Sequence, residues 1–169
     1  MKWARVLTLL VALGCGSSAV LNTNHEAAGT LTGRATYAFE ETPALKEQGF
    51  TSGHLFNPIM QRRIRDELGK ELASLGYTES TLEQASMLVS FSAGGRQDVV
   101  TLDNQTGPVV RGPAHTIDRG ALVLHFIDPA SKRILWRGWG DGVMNADDDL
   151  DQKVRAAVRQ IMAAFPARS

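Results

Sequence analysis

The feature that most constrains the fold is a pair of strand-like runs that are separated by only a short turn. The first run is "TIDRGALVLHFID" and the second is "SKRILWRGWGDG", and they meet at "DPAS", residues 128–131. Aspartate, proline and serine favour tight turns. Two strands joined by so short a connection pair antiparallel. The sequence therefore predicts a β-hairpin in the second half of the chain.

Two further segments have the 3.6-residue periodicity of amphipathic helices. The first, "NPIMQRRIRDELGKELASLGY", has Asn57 as its N-cap and Pro58 at the first helical position, and it ends at Gly76. The second begins at the aspartates 147–149 and ends before Pro166. The expected apolar faces consist of Ile64, Leu68, Leu72 and Leu75, and of Leu150, Val154, Val158, Ile161 and Phe165. The expected solvated face of the first helix carries Arg62, Arg63, Asp66, Glu67, Lys70 and Glu71.

Other strand-like segments complete the pattern. They are "RATYAFE" at 34–40, "ASMLVSFSAGG" at 85–95 and a stretch around 97–102 that is followed by a turn or loop. The chain has 169 residues, 43% of them hydrophobic, which suits one globular domain. Strands combined with two amphipathic helices predict an α+β fold: a two-layer domain with a mainly antiparallel sheet and both helices packed on one face.

The alternation of side chains along the hairpin predicts what each face of the sheet carries. Ile134 and Trp136 share one face, and Leu135, Arg137 and Trp139 share the other. We expect Trp136 to be in the core. The helices cover one face only, so the second face is either covered by the Gly- and Pro-rich segment 94–116 or left as an apolar patch. The second alternative makes His125, Arg137 and Trp139 a candidate interaction surface.

The amino terminus has the organisation of an export signal. Lys2 and Arg5 precede "VLTLLVAL", an apolar stretch of eight residues that is too short to span a bilayer. It runs into "ALGC", which resembles the bacterial lipobox and contains the only cysteine of the chain. This resemblance implies cleavage between Gly14 and Cys15 and acylation of Cys15. The alternative is an ordinary cleaved signal, although an unpaired thiol is unusual in an exported protein.

The predicted organisation is a lipoprotein signal peptide at 1–14, an acylated tether at 15–18 and a single α+β domain at 19–169. The acyl chains on Cys15 anchor the mature protein to a membrane without a spanning helix. Gly16 follows the cysteine where an aspartate would retain a lipoprotein at the inner membrane. The expected location is therefore the cell envelope, at the outer membrane and facing the periplasm.

Composition and motifs give no support to nucleic-acid binding or to catalysis. The chain has 18 basic and 18 acidic residues, so it lacks the charge excess of nucleic-acid-binding proteins. No serine lies in a G-x-S-x-G motif, and no two histidines have metal-ligand spacing on one element. We therefore expect no enzyme activity, no cofactor and no metal. The four histidines are His25, His54, His115 and His125.

Two motifs have a functional and a structural interpretation. "GWGDG" at 138–142 superficially resembles a phosphate-binding loop, but no lysine follows and the helix begins several residues later, so a frayed or bulged strand explains its glycines better. The acidic group is similar to a calcium site, but a helix start also favours aspartates through its dipole. Its members are Asp141, Asp147, Asp148, Asp149 and Asp151.

Several of these segments together resemble a bacterial lipoprotein family known as domain of unknown function 4136. The resemblance is carried by "ATYAFEE", by "NP" opening a helix that ends in "LASLGY", by "MLVSFS", by "RGALVLHFIDPASKRILWRGWGDG" and by a closing "FP". Phe39 stands where the family often has tryptophan, and Ser86 where it usually has aspartate. The resemblance implies a short first strand within "AVLNTNHE" at 19–26, and it implies no reaction, cofactor or catalytic residue.

Three functional hypotheses follow from the sequence. The leading one is a non-enzymatic envelope lipoprotein that presents its domain to an envelope protein partner. The second is a binding module for a lipid or another apolar ligand in the periplasm, which requires a cavity between the sheet and the helices. The third is an enzyme, which requires titratable side chains brought together by the fold.

Overall fold

The structure is a computed structural model, and it describes residues 22–40, 57–100, 115–144 and 148–168. They form six strands and two helices: β1 (Asn22–Ala27), β2 (Thr36–Phe39), α1 (Pro58–Ser74), β3 (Thr78–Glu79), β4 (Met87–Val100), β5 (His115–Ile127), β6 (Ile134–Met144) and α2 (Leu150–Met162). The six strands form one sheet, in the order β1-β6-β5-β4-β2-β3. The strands β1, β6, β5 and β4 are antiparallel, and β2 is parallel to both β4 and β3. The predicted α+β class with a mainly antiparallel sheet is confirmed.

The predicted cap of α1 is present. The Asn57 side chain accepts a hydrogen bond from the backbone N–H of Met60 at 2.9 Å, and Pro58 opens the helix. Helix α1 ends at Ser74, and Gly76 follows with a φ of +89°, a conformation that favours glycine. Both ends of this helix therefore lie where the sequence signals indicate.

Helix α2 also starts as predicted but ends earlier. The Asp149 side chain accepts hydrogen bonds from the backbone N–H groups of Asp151 and Gln152. The helix ends at Met162, and Phe165 lies in the turn that follows, with its N–H donating to the Met162 carbonyl. The sequence pattern of apolar residues continues to Phe165 because the ring of Phe165 is buried, even though the helix ends three residues before it.

The hairpin turn between β5 and β6 is organised by Asp128. Its Oδ1 atom accepts hydrogen bonds from the backbone N–H groups of Ala130 and Ser131, at 3.1 and 2.7 Å. Lys132 takes a φ of 56°, which completes the reversal of the chain. The short "DPAS" connection thus forms the predicted β-hairpin.

The core lies between the sheet and the two helices. Three aromatic side chains form its centre: the Phe165 ring lies 4.2 Å from the Phe126 ring and 5.0 Å from the Trp136 ring, centroid to centroid. Trp136 is 1% exposed, so its predicted place in the core is confirmed. Leu68 and Leu72 of α1 complete this layer and are fully buried. We call the sheet face that carries Phe126 and Trp136 the inner face.

Two strand predictions need correction. Residues 97–100 do not form a separate strand, because β4 runs without interruption through Val100, and Gly94 and Gly95 are paired with β5 within it. Residues 101 and 102 lie outside the described residues. The alternation also placed Ile134 on the face of Trp136 and Leu135 on the opposite face, yet Ile134 is 40% exposed and Leu135 is buried in the core cluster with Trp136. The physical reason is a register irregularity where β5 and β6 meet the turn.

The solvated face predicted for α1 is wrong at one position. Glu67 is only 2% exposed, because it lies where α1 packs against α2. Its carboxylate is 3.0 Å from Arg159 Nη2 of α2 and 3.1 Å from Lys70 Nζ of its own helix. The carboxylate therefore links the two helices.

The first strand that the family resemblance implies is present, as β1. Its six residues are all exposed and pair with β6 at the edge of the sheet. The short strand β3 was not predicted; it adds two residues beside β2. Two-residue strands leave no periodicity in a sequence, so no pattern could have indicated it.

Candidate interaction surface

The three residues of the predicted interaction surface lie together on the sheet face opposite the helices. In the register of the hairpin His125 is directly opposite Arg137, and Val123 is directly opposite Trp139. Successive side chains of a strand alternate between faces, so His125, Arg137 and Trp139 all point away from Phe126 and Trp136. We call this side, defined by His125, Arg137, Trp139 and Val123, the outer face.

The Arg137 and Trp139 side chains contact one another on the outer face. The guanidinium carbon of Arg137 lies 5.4 Å from the centre of the Trp139 ring, which is a cation–π distance. Trp139 also packs against Val123, which is 7% exposed, and against Ala121. The indole is therefore half-buried and held by its neighbours, in contrast to the fully buried Trp136.

A row of polar side chains crosses the outer face through four strands. Ser90 of β4 is opposite His125, His125 is opposite Arg137, and Arg137 is opposite Glu26 of β1. Ser90 is 4% exposed and Glu26 is exposed, so the row runs from a buried end to a solvated end. His125 and Arg137 are half-buried between these ends.

The neighbouring positions form a charged margin around Trp139. Arg119 of β5 and Asp141 of β6 are ion-paired, with 3.6 Å between the Arg119 Nη1 and Asp141 Oδ2 atoms. Asn24 of β1 is opposite Trp139 on the other side. An aromatic and aliphatic centre with a polar margin is the anatomy of many protein–protein interfaces.

The segment predicted as a cover for the second face does not fold across it in the part that the structure describes. Residues 94–100 and 115–116 belong to β4 and β5 and extend the sheet. Residues 101–114 of this segment lie outside the described residues.

Two of the histidines, His25 and His125, lie on opposite sides of the sheet. His25 stacks against Trp136 on the inner side of the sheet, with ring centres 6.1 Å apart, whereas His125 is on the outer face. Within the described ranges, no three His, Cys, Asp or Glu side chains are grouped as metal ligands. His54 lies outside these ranges.

The acidic residues that suggested calcium have separate partners. Asp141 pairs with Arg119, Asp148 with Lys153, and Asp151 with Arg63, while Asp149 caps α2. The side chains therefore point to different cations and do not converge on one centre. Asp147 lies outside the described residues.

The glycines of "GWGDG" belong to β6, so they form no phosphate-binding loop before a helix. They are not explained by fraying or a bulge either. A Cβ at Gly138 would overlap the Trp136 ring, and a Cβ at Gly140 would lie 3.2 Å from Thr23 Cγ2. The absence of side chains here lets the core approach the strand closely.

The sequence-predicted lipidation site, Gly14 and Cys15, lies outside the described residues. Among the residues that the structure does describe, neither helix is long and apolar enough to cross a bilayer.

A cavity of the kind that apolar-ligand binding requires is present. It lies between the two helices and one end of the sheet, has a volume of about 80 Å³ and opens to solvent. Sequence patterns did not reveal it, because its walls come from five separate elements. Its most distinctive signal is the set of glycines in the three central strands: Gly94, Gly120, Gly140 and Gly142.

Two members of the outer face were also missed, and for a similar reason. Ser90 and Glu26 lie 35 and 111 residues from their partners His125 and Arg137 in the chain. Local alternation identifies the face of a hairpin but not which distant strands will extend it.

Comparison with known proteins gives a family and a fold. The family model "Domain of unknown function (DUF4136)" matches residues 21–167. No curated protein matches the chain.

Solved structures with this fold share little sequence with the chain. A PelC dodecamer from Paraburkholderia phytofirmans has a TM-score of 0.56 at 10% identity, and the match covers 89% of this chain and 100% of that one. A DUF4136 family protein from Bacteroides thetaiotaomicron has a TM-score of 0.53 at 10% identity, with 88% and 96% covered. A PDZ domain protein from Parabacteroides distasonis has a TM-score of 0.53 at 14% identity, with 90% and 38% covered. At these identities the likeness is one of fold.

Proposed function

The chain belongs to the DUF4136 family, and from this premise we propose that it is a non-enzymatic, lipid-anchored envelope protein that binds a protein partner through its outer face. The outer face is the observation that carries the proposal. It combines a half-buried indole, an arginine stacked on it and a charged margin, and tryptophan and arginine are enriched among the residues that dominate binding energy at interfaces.

The anchor in this proposal is Cys15, acylated after cleavage behind Gly14. The lipobox-like "ALGC" and the apolar stretch before it support this step. Six residues, 16–21, lie between Cys15 and Asn22, where the described domain begins, so the domain would stand close to the membrane surface. Gly16 supports placement at the outer membrane, with the domain facing the periplasm.

The anchor is tested by labelling cells with radioactive fatty acid. The wild-type protein should carry the label, and the Cys15→Ser variant should lose it. Label that persists in the variant would refute lipidation at this residue. Density-gradient fractionation then tests the location, and recovery with inner-membrane markers would refute the outer-membrane assignment.

The partner is tested by site-specific photo-crosslinking in intact cells. A photoreactive amino acid replaces Trp139 in one strain and Arg62, an exposed residue of α1, in a control strain. We expect a defined adduct from position 139 and none from position 62. Equal adducts from both positions, or none from position 139, would refute the outer face as the docking surface.

The mass of the adduct identifies the type of partner. The PelC structures are dodecamers, so a second copy of this chain is one partner that the crosslinking must be able to detect. An adduct of twice the monomer mass indicates self-association, and any other mass indicates a different envelope protein. Mass spectrometry of the excised band distinguishes the two.

A further inference from the structure

The apolar cleft between the helices and the sheet is separate from the outer face. Met60 and Ile64 of α1 and Val154 and Ala157 of α2 form one wall. The opposite wall is the sheet, where Gly120, Gly140 and Gly142 occupy inner-face positions of β5 and β6 and leave backbone at the surface. Because glycines replace side chains on this wall, the space beside the first turns of both helices is not filled.

The cleft has almost no polar surface, and the one charged side chain that lines it has partners of its own. Lys153 is the one charged residue among the described residues that line it. The Lys153 Nζ donates a hydrogen bond to the Val143 carbonyl oxygen at 2.6 Å and forms an ion pair with Asp148. An uncharged apolar group therefore fits the cleft better than a carboxylate or phosphate does.

The size of the cleft limits what it holds. One water-sized group occupies about 10–15 Å³, so about 80 Å³ accommodates roughly six such groups. A methylene is of similar size. The cleft thus matches the end of a single unbranched alkyl chain and is too small for two.

The chain enters the described domain at the rim of this cleft. Asn22 is the first residue of β1, and its carbonyl oxygen lies 3.4 Å from the position a Cβ would take on Gly140, a cleft residue. Cys15 precedes Asn22 by seven residues, which span at most about 24 Å when extended. A group attached to Cys15 can therefore reach the cleft.

We propose that the cleft binds the end of one acyl chain of the lipid carried by Cys15. This inference rests on the proposed lipidation, and it adds a second site for the anchor within the protein itself. When the domain is away from a bilayer, the cleft covers part of the anchor that would otherwise be exposed to water. A short tether gives the attached chain an effective concentration in the millimolar range, which favours it over free lipid.

The single cysteine allows a direct test in solution. The mature chain, Cys15 to Ser169, is alkylated at Cys15 with N-dodecylmaleimide or, as control, with N-methylmaleimide. We expect the dodecyl protein to melt about 5 °C or more above the methyl protein, because a ligand that binds only the folded state raises its stability. Equal melting temperatures would overturn the proposal.

A matched pair of variants locates the effect. Ala157→Leu fills the cleft, whereas Ala156→Leu makes the same change one residue away on α2, at a position that does not line it. The dodecyl-dependent rise should disappear in the first variant and remain in the second. A rise that persists in Ala157→Leu, with the variant folded by circular dichroism, would place the alkyl chain elsewhere and overturn the proposal.

Two further measurements are needed. One distinguishes the alkyl chain attached to Cys15 from free lipid, and the other distinguishes the cleft proposal from the lipidation proposal. Free N-dodecylsuccinimide at the same micromolar concentration should leave the melting temperature of the methyl protein unchanged. If it raises that melting temperature as much as the attached dodecyl group does, the cleft is a site for exogenous lipid, and the assignment to the anchor is overturned. The mass of the mature protein from cells reports lipidation independently. An acylated protein without a dodecyl effect refutes the cleft alone, and an unacylated protein refutes the anchor.

Discussion

The ring of Trp136 occupies the space that a side chain at Gly138 would need. Both residues occupy inner-face positions of β6, two positions apart, and the six-membered ring of the indole lies next to the glycine. A Cβ at position 138 would overlap the ring and would also lie 2.5 Å from Ile161 Cγ2 of α2. Gly138 therefore sets how closely α2 and the sheet approach each other.

Gly138→Ala should destabilise the protein strongly. The new methyl group forces Trp136 or Ile161 away, and overpacking of this kind costs about 1–3 kcal/mol of unfolding free energy. Chemical denaturation of both proteins measures the loss. Gly69→Ala in α1 is the control, because its nearest neighbour would be 3.5 Å away and alanine favours a helix. A loss at Gly138 no larger than that at Gly69 would contradict this account.

Trp136 and Trp139 should differ sharply in their contribution to stability. Trp136→Ala removes a side chain that is 1% exposed and contacts three other rings, so it should cost about 3–5 kcal/mol. Trp139→Ala should cost about 1 kcal/mol, because its ring is only half-buried on the outer face. Denaturant melts of both variants provide the measurement. Equal, large losses would mean that the outer face is as buried as the core.

The sequence could predict the elements whose signals are local. The Asn57 cap, the "DPAS" turn and the alternation from Trp136 to Trp139 each depend on neighbours within a few residues, and each is present in the structure. The short strand β1 followed only from the family resemblance, because its exposed polar residues carry no apolar period.

Features that depend on distant contacts could not be predicted. Glu67 looked like one member of a solvated stripe until α2 placed Arg159 beside it, 92 residues further along the chain. The cleft needs glycines from three strands and side chains from two helices. The outer face was located from the hairpin, but the strands that extend it on either side were identified only by the sheet order.

The Glu67–Arg159 pair should respond asymmetrically to replacement. Arg159→Met leaves a buried carboxylate with Lys70 as its remaining close cation, and this should cost about 1–3 kcal/mol. Glu67→Met leaves two exposed cations, Lys70 and Arg159, and Arg159 keeps Glu71 as a partner at 3.4 Å. Both cations can be hydrated, so stability should stay within about 1 kcal/mol of the wild type. Urea denaturation compares the two variants. A greater loss for Glu67→Met would show that the pair is net stabilising.

Asp128 should make the stability of the protein depend on pH in the acid range. The backbone N–H of Ser131, the Arg34 guanidinium and the Ser131 hydroxyl all donate hydrogen bonds to its carboxylate, and they hold the pKa of Asp128 well below its usual value. Because the pKa of Asp128 is lower in the folded state than in the unfolded state, the ionised carboxylate stabilises the fold. This contribution is fully present above the unfolded pKa, near 3.9, and is lost as the pH falls toward the folded pKa. Unfolding free energy should therefore decline below about pH 4.

Two variants separate Asp128 from the other acids in this decline. In Asp128→Asn, part of the decline between about pH 4 and pH 2 should disappear, because the titrating group is gone. Arg34→Leu removes one donor but keeps the Ser131 N–H, the largest influence on the Asp128 pKa, so this variant should retain more of the decline than Asp128→Asn does. Urea denaturation at a series of pH values gives the curves. An Asp128→Asn curve parallel to the wild type would show that the turn makes no contribution to the acid sensitivity.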